Sequence, residues 1–373
     1  MRVRAAHPIM GFSFFSRPAF FATPRPPPKP PKRLLATNFS QSAMVHPKDT
    51  QAGAILRLVK KTLIAVAGVL LLVAGGVALL RTNYPLESDA AWQSLSGRSP
   101  HCSLKVAWET PGHAASQEKI KDDYIALLKA GPSDGQFERW DLDAETALPP
   151  RQFWIPVGNR WILPFNLSEQ ARDIYKTEGP WGIRQGDVVL DCGAHVGVFS
   201  HRALARGAGK VVAIEPSPRN AECLRRNFAK EIEEGRLVVY AKGVWDREDT
   251  LILRQLDGNS AADTVVMDQP GAHEGESVPL TTIDTLVKEL GLERVDYIKM
   301  DIEGAEVPAL HGAKETLAKW KPRLALAAYH KADDPETLPA AVREAYAGYQ
   351  SQCSSCIMDS AGLRPEVLLF KAD

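Results

Sequence analysis

The chain lacks an excess of charge of either sign: 45 basic and 45 acidic residues leave a formal net charge of zero. With no long basic run beyond residue 83, nucleic acid is not an expected partner. It is also poor in cysteine, with five in 373 residues. Cys353-Ser-Ser-Cys356 has the spacing of half a zinc or redox site. No second pair lies near it, and Cys102, Cys192 and Cys223 are scattered, so structural thiols in a late β-hairpin are the expectation. No small-residue cleavage pattern precedes Arg81, which counts against a removable signal peptide. Finally, no glycine stands two residues after Gly193, so the dinucleotide fingerprint G-x-G-x-x-G is broken and a nicotinamide enzyme is disfavoured.

What is present begins with Val188-Val-Leu-Asp-Cys-Gly-Ala-His-Val-Gly197, followed by Val211-Val-Ala-Ile-Glu215. Val188 to Leu190 reads as a short strand buried on both faces, as a parallel sheet requires. Gly193 and Gly197 allow a sharp turn and a close approach of backbone to ligand. Glu215 ends the next strand, about twenty residues after the turn, where a carboxylate can accept from both ribose hydroxyls. The unit is a nucleotide-binding βαβ. Asp191 would repel a pyrophosphate but suits a cationic amino group. S-Adenosylmethionine has an amino acid end, a sulfonium and no phosphate, so a methyl donor is the expected cofactor.

A second block, Val295-Asp-Tyr-Ile-Lys-Met-Asp-Ile-Glu-Gly-Ala-Glu306, is a strand that opens into a helix. Asp301, Glu303 and Glu306 cluster at its carboxyl end, which in open α/β sheets faces the ligand crevice. Acids this close raise one another's pKa unless a cation, metal or hydrogen-bond donor compensates. Glu303 and Glu306 also fit a blander reading, as acids favoured in the first turn of a helix.

These blocks carry a resemblance. DCGAHVG, AIEPSPRNAECLRRN, PLTTIDTLVKELGLERVDYIKMDIEGAEVPALHGAKETL and LALAAYHKADD together resemble the FkbM family of S-adenosylmethionine-dependent methyltransferases, from about Phe165 to Phe370. The resemblance implies a class I methyltransferase: an α/β, Rossmann-like sheet, mostly parallel, with an antiparallel C-terminal edge strand. It implies methylation of hydroxyl oxygens on sugars, polyketides and related metabolites, so the expected partner is a small-molecule or glycan hydroxyl acceptor. In its terms Asp191, Gly193, Ala194 and Gly197 shape the methionine end of the cofactor site, Glu215 takes the ribose, and the Asp301 block lies on the reacting side. His195 stands where the family more often has an amide such as Asn, and its contact is left open.

The front end divides into three expected pieces. Residues 1–50, with Pro24-Arg-Pro-Pro-Pro-Lys-Pro-Pro31, cannot build a core and read as a disordered tail, with Met44 an alternative start. Residues 62–80 form an uncharged apolar run long enough for a single transmembrane helix. Residues 83–164 read as a linker and an accessory lid or platform, and residues 165–373 as the methyltransferase domain. Lys48, Arg57, Lys60 and Lys61 precede the span, while only Arg81 and Arg98 follow it. The positive-inside rule therefore places the catalytic domain outside the cytoplasm. A cytosolic methyl donor argues for the cytoplasmic side, and the cofactor argument is given more weight here.

Within the accessory segment, residues 122–129 look helical. Residues 151–157 and 160–164 suggest a hairpin around Gly158-Asn159, with Trp154 and Trp161 available either to the core or to stack on a sugar. Leu237–Tyr240 reads as the third strand, residues 250–254 begin an inserted hairpin, the fourth strand ends at Met300, residues 324–328 make the fifth, and residues 366–370 close antiparallel. Asp246, after the third strand, is a candidate for the adenine amino group or a solvated turn acid.

Methyl transfer from a sulfonium rests mainly on positioning. A hydroxyl acceptor also gains from a general base, for which His330 is the first candidate, with Asp301 as second base or as orienter, and Glu303 beside them. Lys299 alternates with Asp301 and could share its face or simply pack. A divalent metal at Asp301, Glu303 and His330 is chemically plausible, but nothing in the sequence requires one and none is assigned. Two other classes stay open: a nucleotide-dependent oxidoreductase, and an inactive membrane-tethered binding module.

Overall fold

The computed structural model describes residues 51–142, 152–360 and 362–373. The expected tail (1–50) lies outside these. The chain divides into two units, Met1–Val69 and Leu70–Asp373. Helix α1, Gln51–Asn83, runs across that boundary. It is long and apolar enough to cross a membrane, and its large side chains are exposed, Leu71 and Leu72 by 74% and 78%. The expected span, 62–80, lies wholly within it.

The second unit is built on a seven-stranded sheet. After a three-stranded meander (β1 Leu128–Ser133, β2 Phe137–Leu142, β3 Gln152–Pro156) come β4 Val188–Cys192, β5 Lys210–Ile214 and β6 Leu237–Tyr240. An inserted sheet follows, of β7 Gly243–Val244, β8 Asp249–Gln255 and β9 His273–Thr281. Then come β10 Tyr297–Met300, β11 Arg323–Ala327, β12 Tyr349–Asp359 and β13 Gly362–Ala372. The main sheet runs β12-β13-β11-β10-β4-β5-β6. The five strands from β11 to β6 are parallel, and β13 is antiparallel to both its neighbours.

Each strand reads as a near-continuous apolar run because both sheet faces are covered. Alternation sorts the side chains: Leu190, Val212, Ile298 and Leu324 enter one core cluster, while Val189, Val211, Tyr297 and Ala325 enter the other. Each fully buried branched or aromatic side chain contributes about 1.5–3 kcal/mol. The antiparallel strand over residues 366–370 is present, but it starts at Gly362 and sits inside the sheet, with β12 as the outer edge. The order reverses between β4 and β10, and that switch point is where an open α/β sheet leaves a crevice.

The accessory segment departs from expectation. Helix α2, Pro85–Leu95, is followed by α3, Leu104–Leu127, which covers most of residues 122–129. The hairpin around Gly158-Asn159 does not form. Residues 152–156 pair with β2 instead, and the chain turns through Ile162 N–H donating to Asn159 O into helix α4, Ile162–Arg172. Pro164 sits in that helix's first turn, where no backbone donor is required. Leu163 and Leu167, four apart, are both fully buried. The helical period therefore overrides the apparent strand.

The cysteines also need correction. Cys353 and Cys356 do lie on the late hairpin, but Cys356 is disulfide-bonded to Cys102, before α3. Cys353 stays free, and burial pushes its thiol up to about 12.

Candidate active site

The crevice at the switch point starts from the turn after β4. Gly193 and Ala194 both donate their N–H groups to Ile214 O at 3.0 Å, which binds the turn to the end of β5. Gly193 has φ +77°, and a Cβ there would lie 1.8 Å from the carbonyl oxygen of Asp301. Its missing side chain is what lets the ends of β4 and β10 meet. Gly197, at φ +92°, is similarly pressed against Phe228 and Leu224. His195 adopts φ +50°, a left-handed conformation for which histidine, like asparagine, is enriched. The turn is therefore kept with His195 in place of an amide. Its ring Nε2 lies 3.0 Å from Ser260 Oγ. Burial, with Lys299 nearby, holds the imidazole down at about 3, so it is neutral.

Glu215 lies at the end of β5, as expected. Its carboxylate accepts from His195 N at 2.8 Å and Ser217 N at 2.9 Å, leaving acceptor capacity for a ligand. Burial raises its pKa to about 7, against those backbone donors.

Asp191 is placed differently from expectation. It is fully buried, accepts from Ser200 Oγ at 2.7 Å and pairs with Lys299 at 3.3 Å. Its carboxylate lies beneath the turn and supports Lys299, whose ammonium in turn donates to Gly193 O at 2.8 Å. Burial pushes Asp191 up, opposed by Lys299. Lys299, which burial alone would lower, is held above its usual value by Asp191 and Asp301. Lys299 thus shares the site side of β10 rather than merely packing.

Asp246 does not reach the crevice; it is exposed and paired with Arg247 at 3.0 Å. An acid that does line the crevice, together with Gly193 and Glu215, is Asp263, from the insertion between β8 and β9. Burial raises it to about 6, and its Oδ1 makes no hydrogen bond. Sequence reasoning missed Asp263 because the insertion's path over the crevice is set by tertiary contacts: Ser260 N donates to Asn159 Oδ1 at 2.6 Å, and Asn220 donates to Ser260 O at 3.0 Å.

The acids after β10 are brought together. Asp301 accepts from Tyr175 at 2.6 Å and Tyr329 at 3.4 Å. Burial would raise its pKa, but Lys299, His330 and the tyrosines hold it below the usual range. Glu303 sits in a left-handed turn, φ +55°, and burial raises it. Glu306 opens the helix Glu306–His311 and accepts from Ile302 N at 2.9 Å, so the helix-start reading holds for Glu306 but not for Glu303.

His330 is not placed to act as a base. Its side chain is only 3% exposed and lies behind the acids, with Nδ1 2.9 Å from Glu306 and Nε2 3.4 Å from Asp301 and 3.7 Å from Glu303. Burial would lower its pKa, but Glu306, Glu303 and Asp301 together raise it well above the usual value. The imidazole therefore positions the acids.

Two clefts meet at Asp301 and Glu303. One, of about 570 Å³ with its open space, is walled by Gly193, His195, Glu215, Val244, Leu253 and Asp263. The other, about 1090 Å³ with its open space, is roofed by Gln117 of α3 and Phe165, Asn166 and Glu169 of α4, and reaches Tyr329. Burial, then Asp301 and Glu366, lift Glu169 to about 8. The expected stacking tryptophans lie elsewhere: Trp154 packs in the meander's core and Trp161 is 58% exposed beside Arg160.

The strand order, with one antiparallel strand inserted next to the outer edge and the crevice at the β4/β10 switch, is that of the α/β class I methyltransferase fold. Residues 191–351 match the methyltransferase FkbM domain. Over 147 residues it is 30% identical to the 2-O-methyltransferase NoeI of Sinorhizobium fredii, covering 35% of this chain and 59% of that one. Over 159 residues it is 28% identical to the methyltransferase sdnD of Sordaria araneosa, covering 34% and 60%. The matches thus span about three fifths of these relatives. A solved methyltransferase FkbM from Methylobacillus flagellatus KT aligns over 58% of this chain and 56% of its own, with 20% identity and a TM-score of 0.37, too distant to place individual residues.

Proposed function

We propose that this protein is a membrane-anchored, S-adenosylmethionine-dependent O-methyltransferase acting on a hydroxyl of a sugar, glycan or related metabolite. The observation that carries the reading is the meeting of two clefts at Asp301 and Glu303. One cleft has nucleoside-binding features; the other is open and largely apolar, with polar groups from Gln117, Asn166, Glu169 and Tyr329 among its lining residues, and can take a separate acceptor. Glu215, with spare acceptor capacity, suits a ribose diol. Asp263, with an unpartnered oxygen, suits an adenine amino group. The Gly193–Gly197 turn, backed by the Asp191–Lys299 pair, lines the methionine end.

When bound, S-adenosylmethionine supplies a methyl group already activated on a sulfonium, so the protein's task is alignment. Asp301, locked by Tyr175 and Tyr329, presents a fixed acceptor to the incoming hydroxyl. Glu303, in the turn beside it and facing both clefts, orients the same hydroxyl from the other side. Similarity to a named 2-O-methyltransferase supports oxygen as the methylated atom.

Calorimetric titration of the full chain in detergent with S-adenosylmethionine tests the reading. Binding that is lost in Glu215→Ala and absent with NAD supports it. Binding of NAD in place of the methyl donor would favour an oxidoreductase, and binding of neither by folded protein would favour the tethered binding module.

The membrane side is a separate reading. The Cys102–Cys356 disulfide belongs in an oxidising compartment, and the basic residues before the apolar run 62–80 point the same way. These two observations favour an extracytoplasmic domain over the cytoplasmic placement that donor supply suggested. Membrane-impermeant labelling of a reporter cysteine at the exposed Asp373 in intact cells, in a Cys353→Ser background, decides between the two.

A further inference from the structure

We propose that Asp301, Glu303 and His330 form a binding site for one first-row divalent metal ion, with Glu306 as the carboxylate that orients the histidine. The argument starts from the imidazole. The His330 side chain is 3% exposed, and its Nδ1 is 2.9 Å from Glu306 Oε1, the contact that orients the ring. Its Nε2 makes no hydrogen bond. It points between two carboxylate oxygens, Asp301 Oδ1 at 3.4 Å and Glu303 Oε2 at 3.7 Å. These separations are too long for good charged hydrogen bonds, which run about 2.7–2.9 Å. They are close to the spacing of ligand atoms around an ion with bonds of about 2.0–2.2 Å.

The wider arrangement agrees. Ligand atoms of Asp301, Glu306 and His330 fall within 4.8 Å of one another, which places the orienting carboxylate of Glu306 in the same cluster; Glu303 joins it through Oε2, 3.7 Å from Nε2. A carboxylate on the far nitrogen is the usual support of a metal-bound histidine, fixing its tautomer and ring plane. Tyr175 and Tyr329 hold Asp301 in the same way. One imidazole with two carboxylates suits manganese, iron, cobalt or zinc rather than an all-oxygen calcium or magnesium cage. Asp301 and Glu303 line both clefts, so remaining coordination positions would face the acceptor. A hydroxyl, or a pair of neighbouring hydroxyls, could bind there as oxygen ligands. That role rests on the methyltransferase reading; the ion-binding site does not.

The test uses the full chain in detergent, stripped with chelator, with Mn²⁺ as the probe and no methyl donor present. One equivalent should bind saturably, with nitrogen modulation from imidazole in the electron spin echo of the bound ion. His330→Gln should abolish that modulation and weaken binding more than about 100-fold, while Glu306→Gln should weaken it about 10–100-fold. Glu303→Gln, at the partly exposed edge of the cluster, serves as the ligand variant least dependent on the buried packing, and it too should weaken binding. Circular dichroism and S-adenosylmethionine affinity report whether each variant is folded. No saturable Mn²⁺ binding, or equal binding in folded Glu303→Gln and His330→Gln, overturns the proposal. Mn²⁺ binding without methyl-donor binding would keep the metal site and sink the methyltransferase reading; the reverse would do the opposite.

Discussion

Replacing Gly193 by alanine should be among the most damaging single-methyl changes in the domain, and its cost can be built from the structure. Two contributions add. The left-handed backbone, φ +77°, costs a residue with a Cβ about 1–2 kcal/mol. The new carbon would lie 1.8 Å from Asp301 O and 3.2 Å from Ile302 Cγ2, and relieving such an overlap in a packed core costs about 1–3 kcal/mol more. The obstacle is a carbonyl at the end of β10, which can move only by parting the two strands that carry the site. The sum, about 2–5 kcal/mol, lowers a melting temperature by roughly 2–4 °C per kcal/mol in a domain of this size.

Two other glycines calibrate the estimate. Gly235, at φ +70°, has open space around its Cβ position, so alanine there should show the backbone cost alone. Gly197→Ala would press on the side chains of Phe228 and Leu224, which can partly yield, and should fall between. Thermal melts of the three variants, with methyl-donor titrations alongside, give the ranking. A Gly193→Ala protein no less stable than Gly235→Ala, or one that keeps full donor affinity, would refute the claim that this glycine joins the two halves of the site.

If Glu215 takes the ribose as proposed, donor affinity should rise with pH and level off above about 7, because burial holds Glu215 near 7 and its ionised form is the better acceptor; binding then releases a proton. Glu215→Gln should bind weakly and lose this slope when titrated from pH 5 to 8. Lys299→Met should cost about 3–5 kcal/mol, since it strands a buried Asp191 and removes the donor to Gly193 O. Adding Asp191→Asn should recover part of that loss in denaturant melts, and equal single and double variants would contradict the pairing. Cys102→Ser should cost about 2–4 kcal/mol through loss of the cross-link. Unfolded, unreduced wild-type protein should expose three maleimide-reactive thiols and five after reduction, whereas five before reduction would rule out the bridge.

Much of this protein was legible in its sequence. The βαβ unit, the glycine turn, Glu215 and the acid block after β10 follow from local patterns, because buried parallel strands and their carboxyl-end turns impose residue types at short, fixed spacing. The apolar run from Thr62 to Leu80 was equally plain, since spanning length is a property of contiguous sequence. What the sequence left undecided depends on partners far apart in the chain. Asp191 and Asp246 sit at the ends of legible strands, yet one is spent on Lys299 and the other faces solvent. Asp263 gains its place only because the insertion is tied to Asn159 and Asn220. His330 looked like a base by its ordinary pKa, and it became a buried support only when three carboxylates closed around it. Cys102 and Cys356 are 254 residues apart. A strand-end pattern fixes where a side chain starts, but its charge state and its partner are set by the surfaces that fold against it, and those come from the whole chain.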